Sequence, residues 1–456
     1  MANPTVDANQ FEDRDDLPLQ TPPESVATPG AHVFWAGVIL IGVGAGVSAA
    51  ALAEILFAVQ SLAWPAPDGS IVEAALASGF WRHVAILLGA GLLTGAAQYL
   101  LVRLSAGNGI EITTALWFKA GRLPPLRTFG SALLSVLTVA MGESLGREGA
   151  PKQISALLAN FISDRFRFSD EQRRLLVACG AGAGMAAIYD VPLGGALFAL
   201  EVVRGVLSLR LVLPALATSV IATVIAWSVV PNAPTYRLSI GGGEVSILIW
   251  TLFAAPVAGV ASVAFVRMIA KADRIRPESW RRFLAPPTAF ALLGLASVAF
   301  PQLLGNGREL AQLTFDGAVP PLSLVLLLGL KPLAIFVCLA SGGVGGLFTP
   351  SLTFGALLGS VLGLFWIWLW PGAPLGAFAV IGAGAVLAAT TQGPISAIVL
   401  MIELTGRDRA FIAPMLVAVT VATLTARTID PRSIYDARLT DDELAERQRL
   451  REPARH

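Results

Sequence analysis

Three glycine-flanked segments carry the residues best suited to chemistry: Gly107-Asn108-Gly109-Ile110, Gly146-Arg147-Glu148-Gly149, and Gly345-Gly346-Leu347-Phe348-Thr349-Pro350. Each stands at the start of an apolar run. Glycine lets the backbone turn sharply and lets its amides approach a ligand closely. A helix beginning at such a point presents unpaired N–H groups and about half a positive charge, so an anion is the fitting ligand. Three such ends converging would bind a dehydrated halide without a full cationic charge, which would hold it too tightly for turnover. Asn108 can add an amide donor, although an Asn between glycines is by itself more often a turn residue. Glu148 is the reactive group of the set. A carboxylate at the bilayer centre costs on the order of 2.5–3.5 kcal/mol, so one retained there usually serves a function. Deprotonated, it can occupy an anion site; protonated, it yields that site, and the competition couples protons to anions. The alternative role for Glu148 is a structural ion pair with Arg147.

The elements that must position these groups belong to a membrane. The chain has 456 residues, 55% hydrophobic and 14% charged, with a mean hydropathy of +0.69, whereas soluble domains carry roughly a quarter charged residues. At about 20 residues per crossing, the windows Phe34 to Ala63, Val84 to Val102, Leu211 to Val230, Val245 to Val266, Pro286 to Leu304 and Ala410 to Ala426 are long enough to span. A net charge of +1 says nothing about partners. Charges gather at both ends, Glu12 to Asp16 and Asp436 to Arg455, which reads as two short solvated tails. The basic clusters Arg165 to Arg174 and Arg274 to Arg282 suggest cytoplasmic loops, while the acidic N-terminal tail argues against a simple orientation. Residues 1–31 are polar, acidic and Pro-rich, so no cleavable signal peptide is expected before the first apolar segment. Cys179 and Cys338 lie in apolar surroundings and are expected as buried free thiols.

Internal comparison reveals two related halves. Gly180 to Glu201 lies over Gly382 to Glu403 at one offset of 202, without a gap, and eight of the 22 aligned positions are identical. Gly146 to Pro151 falls on Gly345 to Pro350 at the nearly equal offset of 199. Such repeats in transporters place substrate at the repeat interface near the midplane, on discontinuous helices. Pro192 to Val203 and Pro394 to Leu404 are too short to span, and half-helices are tolerated only where their ends face protein or an aqueous path. The expected organisation is a polar tail (1–31), a first membrane repeat (32–230), a polar linker (231–244), a second membrane repeat (245–437) and a charged tail (438–456). Glu201 and Glu403 hold equivalent places in the repeats and are expected as structural caps or buried hydrogen-bonding groups rather than ion ligands. His32, His83 and His456 are too scattered for a metal site or a triad, and no nucleophile constellation appears in the apolar body. The reading is therefore no enzyme, no metal and no cofactor.

The segments together resemble the CLC family of chloride channels and anion/proton antiporters. Its signatures are a GSGIP-like, a GREGP-like and a GxFxP-like segment, followed by a tyrosine near the C-terminus. The resemblance spans nearly all of residues 32–437, and its most specific parts are Gly146-Arg147-Glu148-Gly149 and the Pro-x-x-x-x-Leu-Phe-x-x-Glu of Pro192 to Glu201. It implies an all-α polytopic membrane protein of two inverted repeats with many tilted and half-spanning helices. It implies Glu148 as gate and proton carrier, Asn108 in the place of a pore serine, and Tyr435 as a phenol donor to the same anion. The amides around Gly109, Ile110, Arg147, Gly149, Leu347 and Phe348 would complete the anion path. A homodimer with one pore per subunit, in a bacterial-type inner membrane, is likewise inherited from the resemblance. Tyr435 read on its own could equally be an interfacial anchor, and Leu347 and Phe348 packing residues.

Four positions depart from the family pattern: Asn108 replaces Ser, Glu111 replaces Pro, Ala150-Pro151-Lys152 follows the GREG, and Val202 stands where proton-coupled chloride exchangers carry an internal relay glutamate. The combination is most similar to the bacterial fluoride/proton antiporter branch, which lacks the serine and the internal glutamate yet couples protons. Fluoride holds its hydration shell strongly and needs stronger or more numerous donors than chloride, which an Asn amide suits. The expectation is proton-coupled exchange of a halide, fluoride favoured over chloride. The alternatives are a passive chloride channel of the same fold, favoured by Val202, and a transporter of another small solute.

Overall fold

Within a bilayer the backbone has no partner but itself, so long apolar runs must become helices. The computed structural model describes residues 30–66, 69–104, 112–238, 245–406 and 409–436, together with Leu439 and Asp442. Among these, seventeen α-helices and no strand are found. The first half holds α1 (Ala31–Ala63), α2 (Ile71–Leu76), α3 (Phe80–Leu104), α4 (Ile112–Phe118), α5 (Pro125–Ala140), α6 (Gly149–Arg165), α7 (Asp170–Tyr189), α8 (Pro192–Phe198) and α9 (Leu209–Ala226). The second holds α10 (Val245–Arg274), α11 (Arg281–Ala299), α12 (Arg308–Phe315), α13 (Pro321–Ser341), α14 (Phe348–Leu369), α15 (Leu375–Thr391), α16 (Pro394–Thr405) and α17 (Arg409–Ile429).

Among the described residues, α1, α3, α10, α11, α13, α14 and α17 are long and apolar enough to cross a membrane. Five of the six expected windows fall on α1, α3, α10, α11 and α17. The sixth, Leu211 to Val230, is the shorter α9, which ends at Ala226 in a turn through Trp227. Two further spans, α13 and α14, lie outside those windows. Within α13 lies Lys331, whose buried ammonium donates to the carbonyls of Leu303 (2.9 Å) and Gly305 (3.0 Å), so the helix runs through it unbroken. The 1–31 tail lies outside the described residues apart from its last two positions, and the 438–456 tail apart from Leu439 and Asp442. Of the linker, 231–238 is described, and it is no loose joint: the Tyr236 N–H donates to Leu404 O at 2.8 Å and the Thr235 hydroxyl to Tyr189 O at 3.1 Å. Both cysteines are free and buried.

The repeat is visible in the packing. α6 lies on α7 as α14 lies on α15, and α1 lies on α9 as α10 lies on α17. Two helices, α3 and α8, instead pack on their own counterparts, α11 and α16. The α3–α11 crossing is close enough to need a glycine: a Cβ at Gly91 would sit 2.6 Å from Pro286 O. The α8–α16 contact is fixed by exchanged caps. Glu201 accepts from the Ile395 N–H (3.1 Å), the Ser396 N–H (2.6 Å) and the Ser396 hydroxyl (2.6 Å) at the start of α16. Glu403 accepts from the Leu193 N–H (3.0 Å) and the Gly194 N–H (2.6 Å) at the start of α8. Each half therefore supplies the carboxylate that satisfies the other half's orphan amides and complements its helix dipole.

Candidate functional site

Two helices of different halves begin face to face. Gly149 opens α6 and Phe348 opens α14. Just before each start, Gly146 and Gly346 exchange a reciprocal pair of backbone bonds, Gly146 N to Gly346 O at 2.8 Å and Gly346 N to Gly146 O at 2.7 Å. Side chains here would leave no room for Glu148, because a Cβ at either glycine would fall on its carboxylate. The short antiparallel bridge pins the two helix starts together and holds Glu148 against them.

Glu148 is fully buried. Its Oε1 accepts from the Phe348 N–H at 2.8 Å, and its Oε2 accepts from the Tyr189 phenol at 3.0 Å and the Thr349 hydroxyl at 3.3 Å. The two hydroxyls are themselves 2.5 Å apart. The carboxylate thus occupies the N-terminus of α14, the kind of place where an anion binds. No ion pair joins Glu148 to Arg147 among the described residues. Instead the Arg147 guanidinium lies 5.4 Å from the centre of the Tyr189 ring.

The neighbours of Glu148 in the chain face different spaces. Arg147 lines a wide cavity of about 840 Å³, together with Tyr189, Asp190, Arg237, Arg308 and Asp316. Gly149 lines a narrow one of about 110 Å³, together with Gly345, Gly346, Leu347, Lys152 and Tyr435. Glu148 therefore sits in the septum between them. Tyr435 is held by the bond from Ile434 N to Thr390 O (2.7 Å) and by an edge contact of its ring with Phe198, centroids 5.8 Å apart. The Lys152 ammonium lies 5.1 Å from the Tyr435 ring centre and 5.2 Å from that of Phe198. Arg127 and Arg276 also line the narrow cavity, so three cations face it. Val202 is buried, and its neighbour Val203 lines the same space.

Of the residues expected from the sequence, Arg147, Glu148, Gly149, Leu347, Phe348 and Tyr435 gather around this septum and its two cavities. Asn108, Gly109 and Ile110 lie outside the described residues. Sequence reasoning missed Tyr189, Thr349, Lys152, Arg127 and Arg276. Thr349 was within a quoted signature, and Tyr189 is one of only four tyrosines, but nothing in the linear order brings residue 189 to residue 148.

The profile of the family described as voltage gated chloride channel matches residues 90–427. This chain belongs to the CLC family. Curated CLC relatives agree. The voltage-gated ClC-type chloride channel ClcB of Yersinia pestis is 37% identical over 401 residues, covering 84% of this chain and 94% of that protein. The ClcB of Citrobacter koseri is 30% identical over 411 residues, covering 87% and 96%. Among solved CLC structures, a slow cyanobacterial Cl⁻/H⁺ antiporter superposes with a TM-score of 0.78 at 22% identity, over 92% of this chain and 99% of that one. A CLC-type fluoride/proton antiporter gives 0.72 at 20% identity, over 91% and 99%. The fold of this CLC chain is therefore the all-helical, multi-pass membrane architecture of anion channels and transporters.

Proposed function

We propose that the chain exchanges a halide for protons across a bacterial inner membrane, with Glu148 as gate and proton carrier. The observation that carries this reading is the seat of the Glu148 carboxylate: sealed in the septum between two cavities, on an amide at a helix start, where an anion would bind. Charged, it fills that seat; protonated and withdrawn, it leaves the Phe348 amide and the two hydroxyls to an incoming ion. Asn108, Tyr435 and the amides of Gly109, Ile110, Arg147, Gly149 and Leu347 are assigned to the rest of the anion path. Fluoride is the favoured halide, since a strongly hydrated ion is compensated best by several O–H and N–H donors. The 32–230 and 245–437 repeats form one pore per subunit of a homodimer.

The second reading is a passive chloride channel of the same fold. Val202 in place of an acid favours it, as does the name chloride channel borne by the curated relatives. Purified protein in liposomes separates the two. Fluoride and chloride efflux are measured in parallel with internal pH. Uphill H⁺ movement driven by an anion gradient supports antiport, and its absence alongside anion flux leaves the channel. Glu148→Gln should abolish the H⁺ component, because the amide mimics the neutral acid and cannot shuttle. Asn108→Ser should move the fluoride-to-chloride flux ratio toward chloride; an unchanged ratio would assign selectivity to the backbone.

A further inference from the structure

A proton carrier must meet water, yet Glu148 is fully buried in the septum. Three groups are bonded to its carboxylate: the Phe348 N–H, the Thr349 hydroxyl and the Tyr189 phenol. Of these, Tyr189 is the one that also lines the wide cavity. We propose that Tyr189 is the proton port of Glu148, passing protons between water in the wide cavity and the buried carboxyl. The inference rests on Glu148 being the proton carrier and adds the route by which it is served.

The transfer balances without a charged tyrosine. A hydronium ion in the cavity donates to the Tyr189 oxygen while the phenol O–H bond breaks toward Glu148 Oε2, 3.0 Å away. The products are water, a neutral phenol and a neutral carboxyl. The reverse sequence returns the proton. Oxygens of Tyr189, Thr349 and Glu148 form a closed triangle with sides of 3.0, 2.5 and 3.3 Å. With Glu148 charged, two hydroxyl hydrogens serve three contacts; the carboxyl proton supplies the third. Both protonation states thus fit the same heavy-atom arrangement, which is what a relay requires.

The phenol is rigidly placed. Tyr189 is the last residue of α7, and its carbonyl accepts from the Thr235 hydroxyl. Asp190 follows in the left-handed region, φ 57°, its carboxylate accepting from Trp227 Nε1 at 2.8 Å. The Tyr189 ring rests beside that of Phe348, centroids 5.9 Å apart. The charged groups around it are Glu148 and Arg147 at the start of α6, Asp190 on its own segment, and Arg237, Arg308 and Asp316 elsewhere on the cavity wall.

The test uses the full chain in liposomes under a fixed anion gradient, recording H⁺ and anion flux together. Tyr189→Phe keeps the ring and removes the relay atom. The H⁺ flux should fall on the order of 100-fold, the scale of a positioned acid–base group, and by far more than the anion flux recorded beside it, so the H⁺/anion ratio drops. A wild-type ratio in Tyr189→Phe overturns the port while leaving Glu148 as carrier. If wild-type protein moves anions but no protons, the carrier reading and the port fall together. Should Tyr189→Phe fail to fold, 3,5-difluorotyrosine placed at position 189 decides. It preserves shape and hydrogen bonding but makes the phenol more acidic, so a relay changes its H⁺ transfer rate and solvent isotope effect. A merely structural tyrosine would leave both unchanged, and that result overturns the proposal.

Discussion

A methyl group added at Gly346 would lie inside 3.0 Å of the Glu148 carboxyl, a separation that real Cβ atoms essentially never show. The atoms it meets are the far end of a flexible side chain, and the φ of Gly346 lies outside the left-handed region, so the backbone tolerates alanine there. The side chain of Glu148 must yield. In leaving its seat it gives up donors from Phe348, Tyr189 and Thr349. Hydrogen bonds to a charged group contribute about 1.5–3 kcal/mol each. Loss of two of the three removes about 3–6 kcal/mol from the closed gate, a shift on the order of 100- to 10⁴-fold in the closed-to-open ratio. Gly346→Ala should therefore conduct anions with little dependence on pH and with a lowered H⁺/anion ratio, although its gating acid is chemically intact. Proteoliposome efflux between pH 4.5 and 8, with H⁺ uptake recorded, measures this. Gly329→Ala, where an added Cβ meets nothing within 4 Å, is the control and should behave as wild type. A folded Gly346→Ala protein with wild-type pH dependence and coupling would refute the placement of the gate.

Other consequences follow from the same geometry. Glu201→Ala removes three hydrogen bonds from the start of α16, and Glu403→Ala removes two from the start of α8. Both should destabilise by about 2–4 kcal/mol, Glu201→Ala the more; thermal unfolding in detergent ranks them, and equal stability to wild type would deny the exchanged caps a structural role. Lys152→Met takes one of the cations Arg127, Lys152 and Arg276 from the narrow cavity, so halide affinity should fall in calorimetric titration, and an unchanged affinity would deny Lys152 a part in holding the anion. Beyond α17, burial pushes the Asp430 carboxyl up, but bonds from Arg432 (3.0 Å) and Arg267 (3.1 Å) outweigh it and hold the group below its ordinary value. A lowered folded-state value means stability that is present above the unfolded value and lost as pH falls through the folded one. Asp430→Asn should thus be less stable than wild type at neutral pH, and the gap should close as pH falls through the lowered folded-state value; parallel melts across pH that show an unchanged gap would refute this.

The residues themselves determined the membrane class, the repeat, and the acid that stands between glycines at a helix start. These are local or periodic properties: the length of apolar runs, the offset shared by Gly180 to Glu201 and Gly382 to Glu403, and glycines flanking an acid. They follow from backbone chemistry, which is the same wherever the segment lies. Tertiary structure alone decided who meets Glu148. Tyr189 and Thr349 are 41 and 201 positions away along the chain; the packing of α7 on α6 brings the first and the antiparallel meeting of Gly146 with Gly346 the second. The same holds for the exchanged caps, where the repeat marked Glu201 and Glu403 as equivalent but only the crossing of α8 with α16 assigned each to the other's helix. Lys331 makes the converse case: a lysine within a spanning helix is satisfied by carbonyls of the distant turn at Leu303 to Gly305. Contacts of this kind depend on where two chain segments cross, a property of the whole packing that no single stretch of sequence contains.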